Sequence, residues 1–389
     1  MRLQTPRRWS TSAIWRSSKA DVTGEGLRAA YERQIAERGY RQDPAQLAAV
    51  DALEDLRTRL IASPAPPRGA RRWLARFGIG EKRRPERGLY LWGGVGRGKT
   101  WLMDLFFQSL PFEAKRRRHF HRFMYDVHGE LKRLGAREAP LDQVAADLAA
   151  ECRVICFDEF FVTDIADAMI LGTLFEGLFS RGVTLVATSN VPPRDLYKDG
   201  LQRARFLPAI ALIEEHTQVL AVDGGIDYRL RQLTQAGTYL IGNAPDTAQR
   251  MEALFEQIAG EASREGGSIE IEGRPIPVIR EAANAVWLDF AALCAGPRSQ
   301  NDYIEIARDY QSVFVSGVPR FTPAHEDAAR RFIALVDELY DRNVNLILSA
   351  AAPPDDLYHG ERLTFEFQRT TSRLIEMQTA EYLARQHRA

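Results

Sequence analysis

Residues 93–100 read Gly-Gly-Val-Gly-Arg-Gly-Lys-Thr, four glycines closed by a lysine and a hydroxyl side chain. Gly93, Gly94, Gly96 and Gly98 permit a curl in which successive backbone N–H groups, those of Val95 and Arg97 included, converge on phosphate oxygens. In that chemistry Lys99 neutralises charge at the β and γ positions of a nucleoside triphosphate, and Thr100 gives an oxygen to Mg²⁺. Such a loop needs a strand to feed it and a helix to receive it. The apolar run Gly88-Leu-Tyr-Leu-Trp92 precedes it, and Trp101-Leu-Met-Asp-Leu-Phe-Phe107 follows with apolar residues at helical spacing. The phosphates then sit at a helix N-terminus, whose partial positive charge favours them. The plainer alternative, a glycine-rich surface turn, leaves both flanks unexplained.

A second run, Cys152-Arg-Val-Ile-Cys-Phe-Asp-Glu-Phe160, closes a short apolar strand with two acids. Asp158 there holds Mg²⁺ through water, and Glu159 orients and activates the attacking water. An exposed acidic turn is the competing account, but acids ending a buried run downstream of a phosphate loop fit catalysis better. The adjacent Glu159 points to ATPases with an additional strand between the loop strand and the acidic strand, rather than to GTPases. Val183-Thr-Leu-Val-Ala-Thr-Ser-Asn190 is a further buried strand, and Asn190 is placed to contact γ-phosphate and water, the role called sensor 1. Arg203 and Arg205 precede the strand expected over 217–223, where an arginine finger reaches a neighbouring subunit's site; Arg203 is favoured, with plain surface charge the alternative. The expected catalytic set is therefore Lys99, Asp158, Glu159, Asn190 and Arg203, acting on ATP with Mg²⁺.

Other chemistry is weaker. His119, His121 and His128 lack a third Cys or carboxylate at a recognised zinc spacing, so they predict no metal centre. Phe123-Met124-Tyr125 lies between a strand and a helix, where ring-forming ATPases often carry a substrate-gripping loop; core packing is the alternative.

The 389 residues are 45% apolar and 27% charged, enough for two compact domains. Lys+Arg and Asp+Glu both total 52, so net charge gives no pull toward nucleic acid or membrane, and nucleic acid is not an expected partner. Three cysteines in apolar settings read as core thiols of a reducing compartment. No apolar run is long enough to span a membrane, and the N-terminus lacks a secretory h-region. Residues 1–24 form a basic, serine-bearing extension, either a disordered tail, an over-extended start of the reading frame, or a transit-type segment.

The remaining elements frame the site. Residues 25–87 predict two helices, with Asp43 capping the second and Pro44 at its first turn, then a proline-rich linker carrying Arg71, Arg72, Arg76, Lys82, Arg83, Arg84 and Arg87. That basic run is either a solvated linker or a contact for an acidic partner or anionic lipid. The core spans 88–235 and a C-terminal α/β half, lid and interaction surface, spans 236–389. Within that half, Arg342 to Gly360 aligns without gaps on Arg181 to Asp199 and shares eight of nineteen residues, among them Pro-Pro-x-Asp-Leu-Tyr. This reads as a degenerate second copy with its chemistry gone, Ala351 standing where Asn190 stands; chance recurrence of a turn is the alternative. Residues 268–279 predict a hairpin, and 363–386 a closing helix. The fold class expected is α/β, a P-loop NTPase with a doubly wound parallel sheet and a mixed α/β C-terminal half.

The order of motifs resembles the ZapE family of AAA+ ATPases. The resemblance rests on residues 88–106, His119-Phe-His-Arg-Phe-Met, Phe157-Asp-Glu-Phe, Thr188-Ser-Asn-Val-Pro-Pro, Leu196-Tyr, Gly200-Leu-Gln-Arg, Asp227-Tyr-Arg, Asp302-Tyr303 and Arg369-Thr-Thr-Ser-Arg-Leu-Ile-Glu-Met377. It covers nearly everything after residue 25. It implies ATP hydrolysis coupled to the bacterial division ring through FtsZ, in a nucleotide-dependent homo-oligomer of the cytoplasm, at the division site or inner membrane face. Related mitochondrial AFG-type ATPases act in quality control of inner-membrane proteins, which makes a matrix location and peripheral membrane contact the alternative. A scaffold that binds ATP with negligible turnover is a third possibility, and Arg229 and Arg373 both match motifs that could supply sensor 2.

Overall fold

The computed structural model describes residues 26–37, 42–63, 84–94, 96–135, 137–222, 233–234, 237–242, 245–259, 263–271, 273–385 and 387–388. The extension 1–24 and the basic residues from Arg71 to Arg83 lie outside them. Two compact units divide the chain, one drawn from residues 21–230 and one from 231–389.

The first unit opens with helices α1 (Leu27–Glu37) and α2 (Pro44–Ala62). The Asp43 carboxylate accepts from the Ala45 N–H at 2.8 Å, and Pro44 occupies a first-turn position that needs no N–H. There follow β1 (Gly88–Trp92), α3 (Lys99–Ser109), β2 (Lys115–His119), α4 (Phe120–Leu134), α5 (Pro140–Glu151), β3 (Val154–Asp158), α6 (Ile165–Phe179), β4 (Thr184–Ser189), α7 (Leu207–His216) and β5 (Thr217–Ala221). All five strands run parallel in the order β2-β3-β4-β1-β5. The additional strand that Glu159 predicted is β4, between β1 and β3. Strands β1, β3 and β4 are covered on both faces, which is why they read as unbroken apolar runs. Gly88 starts β1 because a Cβ there would stand 1.8 Å from the carbonyl oxygen of Leu185. Leu53, Leu56 and Leu60 of α2 join Leu89, Leu91, Leu102 and Phe106 in one core, so the N-terminal helices are part of this unit.

The second unit contains β6 (Tyr239–Ile241), α8 (Pro245–Ala259), β7 (Ser263–Glu265), the hairpin β8 (Ser268–Ile271) with β9 (Arg274–Pro277), β10 (Arg280–Ala282), β11 (Ala285–Asp289), α9 (Gln300–Asp309), β12 (Ser312–Val318), α10 (Glu326–Asp341), β13 (Asn345–Ala350) and α11 (Thr364–Glu376). Its sheet runs β6-β13-β12-β11-β10-β7, parallel from β6 to β11 and antiparallel beyond. The single closing helix expected over 363–386 is broken: α11 ends at Glu376, and Thr379 accepts from the Tyr382 N–H at 3.2 Å to start a short α12 (Ala380–Leu383). Among the described residues no helix is long and apolar enough to cross a membrane.

Candidate nucleotide site

Parallel pairing places the C-terminal ends of β1, β3 and β4 on one edge of the first sheet, so Asp158 ends one strand while Gly93 and Asn190 directly follow the other two. The backbone N–H of Gly93 donates to Ser189 at 3.3 Å, fixing the start of the loop against the end of β4. Gly96 and Gly98 have φ of 74° and 80°, a region glycine enters without penalty. At Gly98 a Cβ would also come within 2.8 Å of the Gln46 amide nitrogen. Val95 lies outside the described residues.

Lys99 opens α3 and is buried. Its ammonium donates to the carbonyls of Gly93 at 2.7 Å and Gly94 at 2.6 Å and to Asn190 Oδ1 at 3.2 Å. One cation therefore ties the loop to the residue after β4. Thr100 is half-buried in the first turn of α3.

Asp158 ends β3 and is 2% exposed. It accepts from Arg117 of β2 through both oxygens, Nε to Oδ2 at 2.6 Å and Nη2 to Oδ1 at 3.1 Å. Arg117 also donates to Asp104 of α3 and, at 3.4 Å, to the Thr100 carbonyl. Burial works against the Arg117 charge, but the Asp104 and Asp158 carboxylates outweigh it and hold the guanidinium protonated well beyond an ordinary arginine. Thr100 and Asp158 thus meet on one anchor. A threonine hydroxyl and one carboxylate are a donor set that suits Mg²⁺, which keeps its remaining positions for phosphate oxygens and water. Glu159, next along, is half-buried with φ of 51°, and its N–H donates to Thr188 Oγ1 at 3.2 Å.

Arg203 and Arg205 lie on a short 3-10 turn, Arg203–Arg205. Arg203 donates to the Arg194 carbonyl at 2.6 Å, whereas Arg205 is exposed. Arg229 falls outside the described residues. Arg373 is held within the second unit by Asp337 and Asp341 and stacks over Tyr340 at 4.7 Å. Phe123 and Met124 are buried, with Phe123 against Phe157 at 4.6 Å, so they pack the core; Tyr125 is 69% exposed.

Sequence reasoning missed the support under the loop. Gln46 of α2 donates to the Arg97 carbonyl at 2.9 Å and accepts from the Tyr31 hydroxyl at 3.1 Å. Gln34 of α1 accepts from the Trp101 indole at 2.6 Å, and Tyr31 packs on Trp101 at 5.3 Å. The available signal was two glutamines buried on otherwise apolar helix faces, where an amide needs partners.

Known proteins resemble the chain over most of its length. The profile of AFG1-like ATPases matches residues 26–386. The chain is 49% identical over 365 residues to cell division protein ZapE of Escherichia coli K12, covering 92% of this chain and 97% of that one. It is 39% identical over 348 residues to lactation elevated protein 1 homolog B of Danio rerio, covering 77% and 69%. Among solved structures, a primosome component of Streptococcus pyogenes is similar over 47% of this chain and 81% of its own, at 18% identity and a TM-score of 0.32.

Proposed function

The chain belongs to the AFG1-like ATPase family, and from that premise we propose that it hydrolyses ATP to ADP and phosphate and uses the nucleotide state to act on the bacterial division ring. The observation that carries the chemistry is the junction of Lys99, Gly93, Gly94 and Asn190, which joins a phosphate loop to a polar sensor beside an acid-ended strand. Loop N–H groups from Gly93 to Gly98 hold the phosphates, and Lys99 exchanges its carbonyl partners for their oxygens. Thr100 and Asp158 would hold Mg²⁺, which would supply positive charge to the γ-phosphoryl group. Glu159 accepts a proton from the attacking water, in line with the bond to the departing ADP oxygen, and Asn190 orients that water. Arg203 serves as the finger for a neighbouring copy, so the active form is a homo-oligomer assembled on ATP.

The division-ring role rests on the kinship with ZapE, named a cell division protein, and makes FtsZ the first partner to test and the cytoplasmic division site the place of action. Steady-state hydrolysis by the full chain, with and without polymerised FtsZ, tests both parts. Turnover stimulated by FtsZ is the expected result. Tight ATP binding with no turnover under either condition would replace this account with a nucleotide-dependent scaffold.

A further inference from the structure

Arg117 has a place in the site that neither the loop nor the acid pair explains. One guanidinium, 8% exposed, serves two carboxylates that are 13% and 2% exposed, Asp104 on the helix after the loop and Asp158 on the acidic strand. Desolvating three charges is expensive, and buried ionic clusters of this kind are often replaced by packed apolar groups without loss of stability. The same molecule contains such a replacement. In the second sheet β11 pairs with β12 as β2 pairs with β3, and Trp287 stands opposite Phe314 as Arg117 stands opposite Cys156. Trp287 packs there on Phe255 of α8, with ring centres 6.0 Å apart, so an aromatic pair joins the strand to the helix where Arg117 and Asp104 do so in the first unit. The frame therefore folds without the ions.

We infer that Arg117 is a positioning residue for the metal side of the site, its Nε and Nη2 fixing the Asp158 carboxylate while Nη1 to Asp104 and Nη2 to the Thr100 carbonyl lock that carboxylate to the helix that carries Thr100. This rests on the assignment of Asp158 to Mg²⁺. The fork matters as well as the charge: an ammonium at the same place keeps the cation but cannot hold both carboxylate oxygens in one plane.

The test is binding of a fluorescent, non-hydrolysable ATP analogue to the full chain, first in EDTA and then across a series of free Mg²⁺, for wild type, Arg117→Lys, Asp104→Asn and Asp158→Asn. Arg117→Lys should keep the EDTA affinity and need about tenfold more Mg²⁺ to reach half of the metal-dependent gain, the size of effect common for groups that orient metal ligands. Asp104→Asn should shift the midpoint the same way by less, and carries the test if the lysine variant does not fold. An unchanged Mg²⁺ midpoint in a folded variant, or an equal loss of affinity with and without metal, would overturn the inference and leave Arg117 as packing. If Asp158→Asn also leaves the midpoint unmoved, it is the metal assignment of Asp158 that fails.

Discussion

Glu159 and Gly317 occupy the same place in two sheets. Glu159 follows β3 and Gly317 is the next-to-last residue of β12, the strands that lie second in the shared order, β2-β3-β4-β1 in one unit and β11-β12-β13-β6 in the other. Each is left-handed, with φ of 51° and 76°, and each donates its N–H to a hydroxyl on the next strand, Thr188 at 3.2 Å and Ser349 at 3.1 Å. The match continues. Tyr90 and Tyr239 donate to the carbonyls of Val191 and Ala352 at 3.0 and 2.7 Å, and the N–H groups of Gly93 and Gly242 donate to Ser189 and Ala350 at 3.3 and 2.8 Å. What differs is the chemistry: Ser316 stands for Asp158, Gly317 for Glu159 and Ala351 for Asn190. Helix α8 starts at Pro245 after a shorter link than the Gly93–Gly98 loop, with no lysine in its first turn. The backbone frame persists without phosphate loop, acids or sensor, so the fold itself does not require those residues. Glycine is the residue the left-handed turn prefers, and a glutamate held there costs on the order of 1–3 kcal/mol.

Several substitutions test how far this division holds. The largest effect is expected for Lys99→Ala, which should lower ATP turnover by about a hundredfold or more and weaken binding, since the second unit offers no substitute. Residual nucleotide bound at wild-type affinity in equilibrium dialysis would reveal a second site and break the comparison. Glu159→Gly transplants the second unit's residue into the first. Turnover should fall by about two to four orders of magnitude with the proton acceptor gone, while relief of the left-handed backbone should raise the melting temperature. A variant that melts lower would show that Glu159 stabilises the fold. The reverse change, Gly317→Ala, should destabilise by about 1 kcal/mol in denaturant unfolding and leave turnover per folded molecule unchanged.

Near neutral pH the smallest effect is shared by both units. Burial pushes the thiols of Cys152 and Cys294 up to about 12. In the unfolded chain a thiol loses its proton near pH ~8.5, so above that pH the unfolded state sheds protons the folded state keeps, and stability falls as pH rises toward 12. Below about pH 8 the thiols contribute no pH dependence. Both cysteines should resist alkylation at pH 8 until the chain is unfolded, and rapid labelling of the native protein would contradict their burial.

The parts of this molecule legible in the sequence are those whose signal is contiguous. The loop between β1 and α3, the acids that close β3 and the polar end of β4 each lie within a few residues of the apolar run that positions them, and parallel pairing then brings them to one sheet edge. Gln34 and Gln46 escaped notice because they sit on helices far from the loop in sequence, inside stripes that read as apolar packing. Arg117 was hidden in Lys115-Arg-Arg-Arg-His119, where alternation sends one arginine of a basic run into the interior. The second unit was visible at β13 through its Pro-Pro turn, but not at β6. There Gly237-Thr-Tyr-Leu-Ile-Gly242 repeats the pattern of Gly88-Leu-Tyr-Leu-Trp-Gly93, and without a lysine after it nothing marked the strand as an echo.

The most direct measurement is nucleotide stoichiometry together with turnover, for wild type and Glu159→Gln. One ATP per chain in both, hydrolysed by the wild type and retained unhydrolysed by the variant, is the result predicted for a single working site in the first unit. Two nucleotides per chain, or a glutamine variant that turns over at the wild-type rate, would contradict it.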